Sequence, residues 1–142
     1  MTSSGARGLA ASFGPLEYEI LEALWRIGES SVAECVDALP GRQAYSTVKT
    51  VMERMVDKGH LARVKSGRAF RYSTTATREE MTRRAATRSS RDLLAGFGSV
   101  AVSSFVDQID PASPEFDELV ARLQAVVDRS GGADRSGGRG RA

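Results

Sequence analysis

Most of the basic side chains that could bind a polyanion lie in one short stretch of this 142-residue sequence. Between Arg42 and Tyr72 there are eight bases against two acids, whereas Leu16 to Leu39 contains six acids and one base. A local basic field attracts polyanions, and its attraction for nucleic acid depends steeply on salt. The net charge of +2 therefore conceals a segment that is suited to binding nucleic acid. The alternative is a solvated basic surface without a partner.

Inside this segment, small hydroxyl side chains and long cations share one face of a predicted helix. Apolar residues at helical spacing between Val48 and Val56 predict a half-buried helix from about Tyr45 to Lys58. The short hydroxyls let the start of a helix approach the major groove closely, and the longer cations reach phosphates or guanine. The predicted DNA-contacting residues of this helix are Ser46, Thr47, Lys49, Thr50 and Arg54.

A β-hairpin is predicted directly after this helix. Beyond Gly59 the apolar period changes from about 3.6 to 2, and a turn follows at 66–68. A two-stranded hairpin is not stable alone in water, so we expect it to pack on the preceding helices. It would then present a basic outer face and tip to DNA. The predicted DNA-contacting residues of the hairpin are Arg63, Lys65, Arg68 and Arg71.

Two further helices are predicted before this pair of elements. Pro15 opens the first helix and Gly28 ends it, and a Ser31-to-Glu34 capping box starts a short second helix. Cys35 lies on the apolar face of that second helix, which predicts a buried hydrophobe and not a reactive thiol. Three helices followed by a basic hairpin are typical of a winged helix-turn-helix DNA-binding domain, here over residues 14–75.

The second half of the chain, residues 76–129, predicts three helices with more apolar surface than they can enclose. A capping box at 77–80 and glycines at 96 and 98 delimit the first of them. Because three such helices in about 50 residues cannot bury this surface, we expect a second copy of the chain, in a two-fold homodimer. The predicted dimerisation residues are Phe105, Val106, Ile109, Phe116, Leu119, Val120, Leu123, Val126 and Val127.

The two ends and the remaining composition restrict the class of protein. Residues 1–13 predict a flexible leader and residues 130–142 a disordered tail, because both are rich in Gly, Ser and Arg. One cysteine and one histidine exclude a disulfide framework and a Cys/His zinc site. The sequence shows no secretory signal and no membrane span, which predicts a cytoplasmic location without membrane insertion. It shows neither paired carboxylates nor a phosphate loop, so we predict no enzyme activity, metal or cofactor.

Four short motifs are distributed over the predicted winged helix. They are L-E-x-x-I-L-x-x-L-W from Leu16, Y-S-T-V-x-T-V-x-x-R from Tyr45, K-G-x-L from Lys58 and R-x-F-R-Y from Arg68. These motifs resemble the penicillinase repressor family, the BlaI/MecI-type repressors, and the resemblance extends over about residues 14–128. It implies a bacterial homodimeric repressor that binds an inverted-repeat operator upstream of β-lactamase, penicillin-binding-protein or stress-response genes. It also implies that Ser46, Thr47, Thr50 and Arg54 contact the operator, with the wing on its backbone.

The resemblance further implies a proteolytic mode of induction. In this family, a pathway that starts at a membrane sensor metalloprotease leads to cleavage of an Asn-Phe bond in the dimerisation region. The corresponding bond here joins Ser104 and Phe105, where serine departs from the family pattern. Cleavage there would remove half of the dimer interface. DNA affinity would then fall, because two linked half-sites bind far more tightly than one.

Two other functions remain open from the sequence. In a protein-interaction module, the basic hairpin would meet an acidic protein surface, and an exposed apolar patch on the third helix would favour that function. In an effector-binding regulator, a small molecule would replace proteolytic induction. Copper sensing, as in related repressors with a C-terminal cluster of four cysteines, is excluded because the second half contains no cysteine.

Overall fold

A computed structural model describes residues 5–136 of the chain, which form seven helices and two strands. The fold is mostly helical with one two-stranded antiparallel sheet, which confirms the predicted fold class. The chain divides between Asp92 and Leu93 into two compact units. In chain order, the elements are α1 (Ala6–Ala11), α2 (Pro15–Ile27), α3 (Val32–Ala38), α4 (Tyr45–Asp57), β1 (Leu61–Ser66), β2 (Ala69–Thr74), α5 (Arg78–Phe97), α6 (Ser99–Asp107) and α7 (Phe116–Ser136).

The boundaries of α2 and α3 follow from their local chemistry. Pro15 is the first helical residue of α2, and Gly28 ends the helix with a φ of 83°, a conformation that favours glycine. At the start of α3 the Ser31 hydroxyl accepts a hydrogen bond from the Glu34 amide at 3.2 Å. The predicted capping box is only half formed, because the Glu34 carboxylate pairs with Arg71 instead of the Ser31 amide.

The core of the first unit lies between α2, α3, α4 and the hairpin. Cys35 is fully buried in it, and burial raises the pKa of its thiol to about 11. This confirms the predicted role of Cys35 as a buried hydrophobe. The fully buried side chains that surround it include Ile20, Leu21, Val48, Met52, Met55, Leu61 and Tyr72.

The predicted flexible leader over residues 1–13 contains a helix instead. Leu9 of α1 is buried in the core, and the ring of Phe13 meets the His60 ring edge-on with centroids 4.9 Å apart. The prediction was wrong for this segment because two apolar side chains hold a short helix that polar composition alone does not favour. Residues 1–4 lie outside the described residues.

The hairpin is a wing whose position is fixed by a third segment of backbone. Gly67 has a φ of 64° at the first position of the two-residue turn, as in a type II′ turn. Ser30, in the α2–α3 loop, donates its amide to the Tyr72 carbonyl at 2.9 Å and accepts the Tyr72 amide at 2.7 Å. The sequence did not predict this bridge, which joins the wing to the loop between α2 and α3.

The helices in the second half of the chain begin and end at other residues than the sequence predicted. The capping box of α5 is complete, since the Thr77 hydroxyl and the Glu80 carboxylate each accept the other residue's amide, at 3.1 and 3.4 Å. The start of α5 belongs to the first unit, because Met81 is buried in its core. Ile109, predicted on a helix face, lies two residues beyond α6. Residues 130–136 of the predicted disordered tail continue α7, and residues 137–142 lie outside the described residues.

None of the helices between residues 5 and 136 is both long enough and apolar enough to cross a membrane.

Candidate nucleic-acid interface

Helix α4 has one face in the core and the opposite face in solvent. Val48, Met52 and Met55 are completely buried, which fixes the rotation of the helix about its axis. The outward face lies on the opposite side, since residues advance by about 100° along a helix. It comprises the predicted contact residues, all of which are exposed: Ser46, Thr47, Lys49, Thr50 and Arg54.

The exposed hydroxyl of Thr50 already has a backbone partner. Its Oγ1 donates a hydrogen bond to the Ser46 carbonyl oxygen at 2.9 Å. This bond uses the hydroxyl proton and leaves the oxygen lone pairs and the methyl group for a partner. Thr50 therefore presents a hydrogen-bond acceptor and a methyl group, the latter complementary to the methyl of thymine.

The end of α4 is tied to the start of the wing by short backbone contacts. The His60 amide donates to the Met55 carbonyl at 2.9 Å, and Gly59 has a φ of 84° at the end of the helix. The Thr75 hydroxyl, just after β2, donates to the Gly59 carbonyl at 2.8 Å. Helix and wing therefore hold a fixed relation within the first unit.

The four predicted basic residues of the wing do not share one face. The register pairs Arg63 with Tyr72, and Val64 with Arg71, so that Arg63 and Arg71 lie on opposite faces of the hairpin. The guanidinium of Arg63 lies 4.4 Å from the centroid of the Phe70 ring, a cation–π contact on the face that also carries Lys65. The prediction of a common outer face was wrong because Arg71 falls out of phase with the other two.

Arg71 is also held by acidic groups of the first unit. Its Nε lies 3.0 Å from a carboxylate oxygen of Glu29, and its Nη1 lies 3.3 Å from Glu34. Its Nη2 also donates to the backbone carbonyl of Glu29 at 3.0 Å. The hydrogen bonds that Arg71 donates to Glu34 and Glu29 raise its pKa above the usual value. Arg71 thus joins the wing to the α2–α3 loop and to helix α3 through ion pairs and hydrogen bonds.

The same pattern recurs between the acidic helices and other bases. Lys58 pairs with Glu17 at 3.3 Å, and Arg78 pairs with Glu22 while its guanidinium lies 5.0 Å from the Trp25 ring centroid. Some of the acidic and basic residues that are separated in the sequence therefore pair with each other and stabilise the first unit. The basic face left for a partner is smaller than the sequence suggests, and it consists of the outward face of α4, one wing face and the turn residue Arg68.

Sequence reasoning missed two groups of residues at this surface. Tyr45, the first residue of α4, is 54% exposed beside the predicted contact residues, and its place at the helix start was the available signal. Glu29 and Glu34 fix the wing through Arg71, but no sequence pattern indicates that contact because the partners are about 40 residues apart.

The predicted dimerisation residues, in the second unit, expose an apolar surface. No residue of α6 is buried, and Phe105 is 63% exposed. Ile109, Phe116 and Leu119 are half-buried. On α7, the exposed apolar residues at helical spacing are Val120, Leu123, Val126 and Val127. The sequence did not assign Leu93, Leu94 and Phe97, at the end of α5, to this surface, although they are also exposed.

The bond between Ser104 and Phe105 lies inside α6. The Ser104 carbonyl accepts a hydrogen bond from the side-chain amide of Gln108 at 3.1 Å, and both residues at the bond are exposed. A protease that binds an extended chain must therefore unfold this nine-residue helix locally. Because α6 buries no side chain against its own chain, contacts within the chain add little to the cost of opening it.

The chain is similar in sequence to known transcriptional regulators and to one family model. A family model described as penicillinase repressor matches residues 13–125. A transcriptional regulator BlaI of Mycobacterium tuberculosis is 34% identical over 71 residues, which is 48% of this chain and 51% of that protein. An uncharacterised 16.5 kDa protein of Latilactobacillus sakei is 34% identical over 61 residues, 42% of each chain. The chain thus spans about half the length of the curated relatives it matches.

Among solved structures, the chain is similar to the transcriptional regulator Tm0710 from Thermotoga maritima. The TM-score is 0.46 at 21% identity, and the match covers 89% of this chain and 85% of that one. The family match extends over both compact units, from the residue before Gly14 to the middle of α7. It confirms the family that the four sequence motifs resemble. The chain belongs to the penicillinase repressor family of transcriptional regulators.

Proposed function

We propose that the protein is a homodimeric, sequence-specific DNA-binding repressor of bacterial transcription that recognises an inverted-repeat operator in the cytoplasm. The observation that carries this proposal is the division of α4 into a buried apolar face and an exposed face of hydroxyls and cations. Family membership supports the same function. In this proposal α4 enters the major groove, with its amino-terminal turns nearest the bases.

The contact residues of α4 divide by chemistry. Ser46, Thr47 and Thr50 are short enough to meet base edges, and Thr50 offers a methyl group together with an acceptor oxygen. Lys49 and Arg54 reach phosphates or guanine. The amino terminus of α4 has no side-chain cap within the described residues, which leaves its first amides available for a phosphate.

The wing contributes contacts to the DNA backbone in this proposal. Arg63, Lys65 and Arg68 are exposed, and the stacking of Arg63 on Phe70 limits its rotamers without using its hydrogen-bond donors. We assign Arg71 a different role, because its guanidinium is held by Glu29 and Glu34. It orients the wing and makes no direct contact with DNA.

Dimerisation is supported by the apolar surface of the second unit. Exposed apolar side chains recur along α6 and α7, and exposed apolar surface of this kind marks an interaction surface. A second copy of the chain offers the same surface, so a two-fold interface would bury both at once. Two joined recognition helices then match the two halves of an inverted repeat.

Relief of repression by cleavage between Ser104 and Phe105 belongs to the same proposal. A membrane sensor protease pathway, activated by β-lactam or another stress, would lead to that cleavage after α6 opens locally. Co-expression with the cognate sensor, followed by mass spectrometry of the intact chain, tests it. The expected products end at Ser104 and begin at Phe105, and a chain that stays intact after antibiotic challenge would contradict it.

The DNA-binding proposal is tested with overlapping duplexes from the region upstream of the protein's own gene. We expect one duplex to bind at least about a hundredfold more tightly than a shuffled duplex of equal composition, with affinity falling steeply as salt rises. Fluorescence anisotropy at two salt concentrations measures both quantities. Equal affinity for every duplex would contradict a sequence-specific repressor.

A further inference from the structure

A second basic cluster of the first unit lines a small cavity that includes none of the proposed DNA-contacting residues. The cavity has a volume of about 230 Å³ and lies where the end of α1, the junction between α4 and β1, and helix α5 meet. Pockets for drug-sized ligands are roughly 300–1,000 Å³, so this cavity suits a smaller molecule. The lining that matters here consists of Phe13, His60, Met81, Lys58, Arg84 and Arg88.

The inner part of the lining is apolar and partly aromatic. Met81 is buried, and the rings of Phe13 and His60 meet edge-on at an interplanar angle of 79°. Burial lowers the pKa of His60, while Glu17 acts to raise it and the charges of Lys58 and Arg88 to lower it. This shift favours the neutral imidazole, which completes an aromatic wall without adding charge.

Three cations are among the residues that line the cavity. Arg84 and Arg88 lie one turn apart on α5, a like-charge arrangement that destabilises an isolated helix, and Lys58 approaches from the end of α4. Lys58 has a carboxylate partner in Glu17. Among the side chains that the structure describes, no carboxylate oxygen lies within 4.0 Å of Arg84 or Arg88. Their charges are thus available to an external anion.

We infer that this cavity is a binding site for a small organic anion, namely a monocarboxylate with a flat apolar body of about the size of benzoate. Arg84 and Arg88 would bind the carboxylate, because a guanidinium presents paired donors that match its two oxygens. Phe13, His60 and Met81 would enclose the apolar body. The site lies within the first unit and its existence does not depend on DNA binding.

The probe for this inference is benzoate, titrated into the full-length protein by isothermal calorimetry at moderate salt. We expect saturable binding at one site per chain. Benzamide keeps the shape but not the charge, so we expect it to bind about tenfold more weakly or worse. Binding that does not saturate would overturn the inference, and so would inorganic phosphate binding as tightly as benzoate, which would indicate a general anion site.

Paired variants on α5 distinguish binding in the cavity from a general effect of positive charge on the protein. Arg84→Gln and Arg88→Gln should each weaken benzoate binding about tenfold, because each removes a charge-assisted hydrogen bond. Arg83→Gln and Arg91→Gln, on the same helix but outside the lining, are the matched controls and should leave the affinity within twofold. Equal losses in both pairs would overturn the inference.

A cavity-filling variant adds a test that leaves every charge in place. Ala85 is a half-buried lining residue on α5, and Ala85→Leu adds bulk where the apolar body is expected. Leucine is a good helix former, so circular dichroism should show an unchanged helix content. We expect benzoate binding to be lost in this variant. Retention of the parental affinity would overturn the cavity as the site.

Discussion

The two compact units of the chain differ most in what they bury. All fifteen apolar side chains that are buried among the described residues precede Leu93, and they range from Leu9 in α1 to Met81 in α5. After Leu93, the apolar residues of α6 and α7 are exposed or at most half-buried. The first unit encloses its own core, whereas the apolar residues described in the second unit follow a helical pattern and are largely exposed.

The ion pairs follow the same division. In the first unit, Arg71 and Arg78 connect segments that are distant in sequence, and both are held by glutamates of α2, α3 or the loop between them. The ion pair described in the second unit joins Glu118 and Arg122, one turn apart on α7. Ion pairs in the first unit therefore join separate elements of its fold, whereas the described pair in the second unit stays within one helix. The second unit has the unsatisfied surface that an association surface needs.

The largest effect is expected from a charge placed on the apolar stripe of α7. Leu123→Glu puts a carboxylate where two copies would meet, and an unpaired buried charge costs several kcal/mol, so the dissociation constant should rise more than about a hundredfold. Sedimentation equilibrium measures this change. Ala121→Glu places the same charge on the opposite side of α7 and should leave the assembly unchanged. If both variants associate like the parent, the stripe is not the dimer interface.

The next effect concerns the exposed face of α4. Arg54→Ala removes a contact to guanine or phosphate and should weaken specific DNA binding by about tenfold to a hundredfold. The protein should still sediment like the parent, because Arg54 is exposed in the first unit. Arg129→Ala, an exposed arginine of α7, is the matched control and should leave DNA affinity unchanged. A change of assembly state in Arg54→Ala would show that the two surfaces are not separate.

A smaller effect separates the two kinds of wing arginine. Arg68→Gln should reduce the salt dependence of DNA binding by about one unit of slope, because one phosphate contact is lost. Arg71→Gln should lower the thermal midpoint while leaving that slope unchanged, because Arg71 pairs with Glu29 and Glu34. DNA titrations at several salt concentrations and a melting curve test both expectations. A reduced slope in Arg71→Gln would place this guanidinium on the DNA.

The smallest expected effect concerns the reactivity of Cys35, which reports whether the core of the first unit opens to solvent. Burial raises the pKa of the Cys35 thiol to about 11 from an ordinary value of 9.0, so the neutral thiol is favoured in the folded chain. At pH 8 its thiolate fraction should be about a hundredfold below that of a free cysteine. Alkylation by iodoacetamide, followed by mass spectrometry, should therefore be at least that much slower than in urea. Equal rates would show that the core of the first unit opens readily.

The raised pKa of Cys35 also has a consequence for stability at high pH. Because the unfolded thiol ionises first, the unfolded state loses its proton near pH 9 while the folded state keeps it. The contribution of Cys35 is therefore fully present below pH 9 and is lost as pH rises towards 11. In a comparison with Cys35→Ala, we expect the parent to lose more unfolding free energy across this interval.

Local patterns in the sequence predicted those parts of the fold that depend on neighbouring residues. Pro15, Gly28 and the capping box of α5 set helix ends, and the change of period after Gly59 indicated the wing. The exposed face of α4 was also correctly predicted, because Val48 and Met52 set its orientation.

Local sequence patterns could not predict contacts between residues that are distant in the chain. The Ser30–Tyr72 bridge and the clamp on Arg71 join residues about 40 positions apart, and neither leaves a periodic signal. The helix α1 was missed because its stabilisation comes from the burial of Leu9 and not from its own polar composition. The ion pairs of Arg71 were not predicted for the same reason, since charge alone does not show which partner neutralises it.

A homodimeric repressor requires that two chains act together on one DNA site. Native mass spectrometry of the protein with the upstream duplex that binds most tightly measures this stoichiometry directly. The prediction is two chains per duplex for the parent and a loss of that complex for Leu123→Glu, with the Ala121→Glu control unchanged. A parent complex that contains one chain per duplex at full specific affinity would contradict the account.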